Sequence, residues 1–593
     1  MDPLDIAAGL TVPALLHRNA TEHPDRPALS VLGKPETLTW RQLRDEVAAL
    51  ARGLADLGLR PGDRMLIMMS SRPEHWLVDL AAAHLGAVPS TVYATLPPAQ
   101  LEYLARHSQA TVVVLEGAQE LERWEPILPA LPAVQHVVVV EGTSHVSLRA
   151  VADRGAALHR EDPSAFEKAW RDVRPEQPVT LLYTSGTTGD PKGVLLSHHN
   201  VVYQSVVLEQ TVETPPHSPS LAYLPLAHIA ERMLGVYNPI YRAGHVTICP
   251  DPAQLLAGLV ALRPVSFFGV PRIWEKMAAG VEAQLSQAPE SVRSAVAAAR
   301  AVALEAYHLR AAEKPVPEDL AARLAAVDEA VLKPIRARLG LDNMIWAGSG
   351  AAPIPVEVLH SLASIGVDVL EVWGMTETTG TATINTPDHF RTGTVGRPNP
   401  GMEVALADDG EILVRGPLVC LGYLRPDGGV EPVTDAGGWL ATGDVGTLDD
   451  EGYLTITDRK KELIITSSGK NISPARVESL LRAHPLIAQA VAIGDRRPYV
   501  TALIVLDEET LPAFSSRRLP AAATDPGVLA QIAAAVEAAN SKLSRPEQVK
   551  TFRVLPSAWT PESGELTPTL KLRRRVVAER HAGAITELYA DSR

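Results

Sequence analysis

Apolar positions in the first third of the chain alternate between two periods. Val47, Leu50, Ala51 and Leu54 recur at helical spacing, and Gly58 with Pro61-Gly62 closes that helix. Residues 65–69 then form an unbroken apolar run that reads as a buried strand, and Ser71-Arg72-Pro73-Glu74 opens the next helix. Short β-branched runs at 112–115 and 137–140 repeat the strand signal. Such alternation predicts an α/β fold with mainly parallel strands.

The texture changes twice further on. Residues 281–339 are rich in Ala, Leu, Glu and Arg, and Pro315-Val316-Pro317 divides them into two predicted helices. A helical scaffold fits this insertion better than a binding role. Residues 393–457 break into short strands separated by Gly, Asp and Pro, which predicts a small β subdomain. Mixed α/β character then returns, with a strand over 500–506 and weak structure over 515–527. A boundary at 458–462 gives a large N-terminal domain, residues 1–460, of parallel-rich sheets with helices. A smaller α+β domain, residues 461–593, follows.

Composition narrows the class. The 593 residues are 46% hydrophobic, enough for three or four folding units with a large core. A net charge of −14 argues against nucleic-acid partners, which call for a basic surface. Anionic substrates then need local basic groups to receive them. Cys249 and Cys420 are the two cysteines, so a disulfide framework or zinc cluster is not expected, and a reducing cytoplasm is. The acidic start carries no apolar stretch of the signal-peptide kind, and no run nears the ~18 apolar residues of a membrane helix. The chain is expected to be soluble, with peripheral membrane contact left open.

The densest chemical signal is Leu181-Leu182-Tyr183-Thr184-Ser185-Gly186-Thr187-Thr188-Gly189-Asp190-Pro191-Lys192-Gly193. An apolar strand runs into a loop of hydroxyls, glycines and one lysine. Glycine lets backbone N–H groups approach phosphate oxygens, hydroxyls add donors, and lysine adds charge. A Walker A loop cannot be aligned here. A plain structural turn leaves the hydroxyl density and the closing Pro-Lys-Gly unexplained.

This loop resembles the phosphate loop of the adenylate-forming superfamily, which comprises acyl-CoA synthetases, luciferases and peptide-synthetase adenylation domains. Five further segments follow in that family's order: Gly348-Ser349-Gly350-Ala351-Ala352-Pro353, Trp373-Gly374-Met375-Thr376-Glu377-Thr378, Thr442-Gly443-Asp444, Asp458-Arg459-Lys460-Lys461 and Leu566-Thr567-Pro568-Thr569-Leu570-Lys571. Together they span residues 180–571. The resemblance implies activation of a carboxylic acid by ATP, then transfer of the acyl group to a thiol. ATP, Mg²⁺ and coenzyme A are the implied small-molecule partners.

The resemblance also implies roles. Thr184, Ser185, Gly186, Thr187, Thr188, Gly189 and Lys192 receive the phosphates. Glu377 holds Mg²⁺ with Thr376 beside it on the α-phosphate, although a helix N-cap is the ordinary role of such a pair. Trp373, next to Gly374, takes the adenine-stacking position where tyrosine is commoner. Gly350 and Ala351 let the purine lie against backbone. Asp444 accepts both ribose hydroxyls with help from Arg459. Lys571 is the catalytic residue that bridges carboxylate and α-phosphate. Lys461 is the hinge of a mobile C-terminal domain, and Gly469 and Lys470 line a pantetheine channel. Arg573, Arg574 and Arg575 read as a solvated basic face.

Leu224-Pro225-Leu226-Ala227-His228-Ile229-Ala230-Glu231-Arg232 and Gly269-Val270-Pro271-Arg272-Ile273-Trp274-Glu275-Lys276 resemble long-chain fatty acyl-CoA synthetases. That branch places His228 near the reacting carboxylate. Trp346-Ala347-Gly348 offers no aspartate to pair an amino acid's amine, which favours an uncharged acyl tail. The expected acceptor is coenzyme A. Loading of a carrier-protein pantetheine, and ligation of a medium-chain or aromatic acid, are the alternatives.

Overall fold

The apolar runs of the first third assemble into one parallel sheet. Its strands lie in the order Val88–Thr91, Arg64–Met68, Val112–Leu115, His136–Val139, Val146–Ser147. Val112 and Val114 enter one hydrophobic cluster, while Val113 and Leu115 enter another. Both faces are therefore covered, which is why the strand reads as a continuous apolar run. The helix Trp40–Asp56 starts at a Thr39–Gln42 capping box and buries Leu43, Val47, Leu50, Ala51 and Leu54. Gly58, at φ +106, turns the chain after it. The computed structural model describes residues 2–142, 145–184, 190–467, 470–560, 563–567 and 571–590.

Two further sheets hold several of the site residues expected from sequence, Gly348 and Trp373 in one and Thr184 and Lys192 in the other. In one, Ser266–Gly269, Trp346–Ser349 and Val369–Trp373 run parallel, and Thr383–Ile384 with Arg397–Pro398 extend it antiparallel. In the other, the hairpin Pro178–Thr184 and Lys192–Ser197 pairs through its second strand with Gly422–Leu424. The β subdomain is an antiparallel sheet of Glu403–Leu406, Glu411–Arg415, Leu440–Leu448 and Leu454–Arg459.

The helical stretch departs from expectation. Residues 281–339 contain the end of Pro271–Ser286, then Glu290–Ala311, then Glu318–Val327, which continues through a π turn at Asp328–Leu332 into Lys333–Arg338. The break at Pro315-Val316-Pro317 falls as predicted. An additional break at 287–289 was not anticipated. Pro289 there lacks the N–H that would extend the first helix and instead precedes the next.

The C-terminal domain is built on Ile487–Ile493, Val500–Leu506 and Val549–Val554. Helices Pro474–Arg482 and Pro526–Asn540 cover one face, and Trp559, Val577, Ile585 and Leu588 cover the other. Neither cluster takes a residue before Ile464. The stretch 515–527 is more ordered than expected. It holds a 3₁₀ turn, Ala521–Thr524, and Asp525 caps the next helix through its side chain. No helix among the described residues is long and apolar enough to cross a membrane.

Candidate active site

The loop of hydroxyls joins the two strands of a hairpin, so its ends are fixed even though Ser185, Gly186, Thr187, Thr188 and Gly189 lie outside the described residues. Thr184 and Lys192 are partners across that hairpin. Lys192 extends its ammonium over the ring of Tyr423, 4.4 Å from the centroid. Tyr423 sits opposite Val194 on the neighbouring strand and donates its hydroxyl proton to Glu377 Oε1 at 2.8 Å. Burial, reinforced by the nearby carboxylate of Glu377, holds the Tyr423 phenol well above its usual range. The basic end of the loop and Glu377 are thus joined through one tyrosine. The sequence reading missed Tyr423, because only strand register brings residue 423 beside residue 377.

Glu377 lies in the 3₁₀ turn Thr376–Thr378 and is 6% exposed. Thr378 Oγ1 closes the turn by accepting from the Met375 N–H at 2.9 Å. Gly374 is required there, since a Cβ would stand 1.7 Å from the Gly380 carbonyl oxygen. Among the described residues no donor takes the other carboxylate oxygen. Nor does any cluster of three or more His, Cys, Asp or Glu form a cage. One buried carboxylate with a free oxygen suits a Mg²⁺ ion bound mainly by phosphates and water.

Asp444 is anchored from two sides. Trp373 donates its indole N–H to Oδ2 at 2.8 Å, and Arg459 Nε lies 3.0 Å from Oδ1. Register explains the second contact, because Asp444 and Arg459 are paired across antiparallel strands. Trp373 is 8% exposed, so most of its ring packs inward. Ala351 adopts φ +70, and a Cβ on Gly350 would press on Val372 at 3.0 Å.

Lys571 approaches this cleft from the C-terminal domain. Thr567 N–H donates to its carbonyl at 2.7 Å, and its own N–H donates to Thr567 Oγ1 at 3.0 Å. Its side chain stays open to solvent. The protein packed around the cleft, followed by the positive Arg459, lowers its pKa to about 8, while Asp444, Glu462 and Glu377 pull it up. Lys571 also acts on His228, whose pKa falls to about 3, mainly through burial and secondly through this lysine's charge. His228 is therefore neutral. Its Nδ1 accepts from the Ala230 N–H at 3.1 Å, which leaves the ring proton on Nε2.

Behind His228 the chain is held by a buried ion pair. Arg232 and Asp79 meet at 2.7 Å, with Arg232 0% exposed. Arg232 also donates to Thr91 Oγ1, the Tyr237 hydroxyl and the Leu226 carbonyl. The segment continues as a π turn, Arg232–Tyr237. Beside it opens a cavity with about 980 Å³ of empty space, its open mouth included. Leu208, Leu224, Leu234, Phe268, Trp346 and Ile384 give it a mainly apolar wall.

The remaining candidates lie elsewhere. Lys461 and Lys470 are exposed, and Gly469 is outside the described residues. No side-chain hydrogen bond or ion pair among the described residues links Lys461 or Lys470 to Glu377, Asp444, Arg459 or His228. Arg574 is not part of a solvated face: it is clamped by Glu462 at 3.0 Å and Glu478 at 2.5 Å. Arg573 and Arg575 do conform; among the described residues the latter pairs with Glu579 one helical turn on.

The chain belongs to the AMP-binding enzyme family, whose model matches residues 16–424; an AMP-binding enzyme C-terminal domain matches residues 461–593. It is 44% identical over 432 residues to the putative fatty-acid–CoA ligase fadD11 of Mycobacterium tuberculosis, covering 72% of this chain and 76% of that protein. The long-chain-fatty-acid–CoA ligase FadD15 of the same species is 35% identical over 600 residues, 99% of this chain and 98% of that one. The solved structure of the anthranilate CoA ligase AuaEII with anthranoyl-AMP aligns with a TM-score of 0.72 at 19% identity. It covers 98% of this chain and 100% of that one, and it shows the shared fold.

Proposed function

We infer that the protein activates a long-chain fatty acid with ATP as an acyl-adenylate and transfers the acyl group to coenzyme A. The observation that carries this reading is the approach of Lys571 to a single cleft where His228, Glu377 and the Asp444–Arg459 pair converge. The full-length likeness to a long-chain-fatty-acid–CoA ligase and the mainly apolar cavity lined by Leu224 and Leu234, which flank His228 in sequence, support the choice of acid.

Both reactants of the first step are anions, so their approach must be neutralised and aligned. Lys192 and the hydroxyls of its loop receive the triphosphate. Asp444 accepts from the ribose hydroxyls, its orientation fixed by Trp373 and Arg459. Lys571 spans the substrate carboxylate and the α-phosphate. His228, neutral, offers its Nε2 proton to a carboxylate oxygen. A carboxylate oxygen attacks the α-phosphorus, and pyrophosphate departs with the bond it shared. Glu377 is the side chain suited to hold Mg²⁺, which when bound offsets phosphate charge. In the second step the coenzyme A thiolate attacks the acyl carbon and AMP leaves. Lys461 serves as the hinge, and the segment with Gly469 and Lys470 faces the pantetheine arm after the domain turns.

Incubation with Mg-ATP, coenzyme A and saturated acids of graded length tests this, with pyrophosphate and acyl-CoA measured together. Equimolar products, highest for long chains, are expected. Pyrophosphate without acyl-CoA would point to a carrier protein as acceptor. Turnover of aromatic acids alone would overturn the choice of acid.

A further inference from the structure

Among the described residues three ion pairs join side chains of residues 1–460 to side chains of residues 461–593. Arg272 pairs with Asp507, Lys276 with Glu509 at 2.7 Å, and Glu357 with Lys542. On the N-terminal side they come from two helices that pack together, Pro271–Ser286 and Val356–Ala363. On the other side Asp507 and Glu509 lie just past the strand Val500–Leu506, and Lys542 just past the helix Pro526–Asn540.

The pattern uses both signs. The N-terminal face presents two cations and one anion, and the C-terminal face presents the reverse. A rotation of the smaller domain that separates these two faces parts all three pairs. Asp507 is held for this contact: its Oδ1 accepts from the N–H groups of Glu509 and Thr510 at 3.0 Å each, leaving Oδ2 for Arg272. The helix that carries Arg272 and Lys276 is fixed to the active-site sheet. Trp274, between them, donates its indole N–H to the carbonyls of Gly269 and Gly348, and Phe268, just before that helix, lines the apolar cavity.

We propose that Arg272, Lys276 and Glu357, with Asp507, Glu509 and Lys542, form a charge key. It holds the C-terminal domain in the orientation that brings Lys571 to the cleft. These are positioning residues for adenylation alone, since the key opens when the domain turns for thioester formation. The proposal rests on the two-step ligase reading above.

The exposed pair Lys276–Glu509 allows a test that spares folding. Lys276→Glu is expected to slow acid-dependent pyrophosphate release by about three- to tenfold, the range of an exposed pair replaced by repulsion. Formation of acyl-CoA from supplied acyl-adenylate stays unchanged or rises. The double variant Lys276→Glu/Glu509→Lys restores pyrophosphate release, which a merely structural role for Lys276 would not produce. Equal loss in both half-reactions, no loss in either, or failure of the swap to restore the first would overturn the key. Absence of both half-reactions in the unmodified protein would instead count against the ligase reading itself.

Discussion

Glu231 stands three residues from His228 at the wall of the apolar cavity, and its environment decides its charge. Its Oε2 accepts the Leu224 N–H at 3.0 Å, but burial outweighs that bond and pushes its pKa up to about 8. The folded protein therefore keeps a proton on Glu231 that the unfolded chain has lost above its ordinary value near 4.5. The sign follows from linkage. The folded state binds more protons across this interval, so stability falls as pH rises from about 4.5 to about 8. Glu231→Gln keeps an acceptor for Leu224 and cannot ionise. Its melting temperature is expected to decline less than that of the unmodified protein between pH 6 and pH 8, as followed by thermal denaturation. An equal decline in both proteins would show that Glu231 ionises freely in the fold.

At the scale of elements, the strand Trp346–Ser349 contributes Trp346 to the wall of the cavity. Trp346 and Gly348 point to the same face, two residues apart, and the indole lies across the glycine. A Cβ at position 348 would stand 2.0 Å from Trp346 Cη2. Gly348→Ala drives the ring off its seat and into the cavity it lines. The expected outcome is a shift of acid preference towards shorter chains, read from kcat/KM across the graded series. An unchanged profile would mean that Trp346 does not bound the acyl site. Much of the element plan was legible in sequence, because period-2 and period-3.6 apolar runs report burial directly: the strands Val112–Leu115, Glu411–Arg415 and Val500–Leu506 fall where their apolar runs do. What was not legible depends on pairing between distant segments. Tyr423 meets Glu377 through sheet register, Trp373 meets Asp444 through the packing of two sheets, and the carboxylates that clamp Arg574 lie about a hundred residues away.

At the scale of the whole molecule, the proposed function divides the chemistry between a large domain that would take ATP and acid and a small one that would supply Lys571. The central claim is that Lys571 serves the first half-reaction only. The direct measurement compares Lys571→Ala with the unmodified protein in two assays. One follows pyrophosphate release from Mg-ATP and hexadecanoic acid, and the other follows thioester formation from supplied hexadecanoyl-adenylate and coenzyme A. The account predicts a loss of about a hundredfold or more in the first assay and retention of the second. Equal losses in both would contradict it.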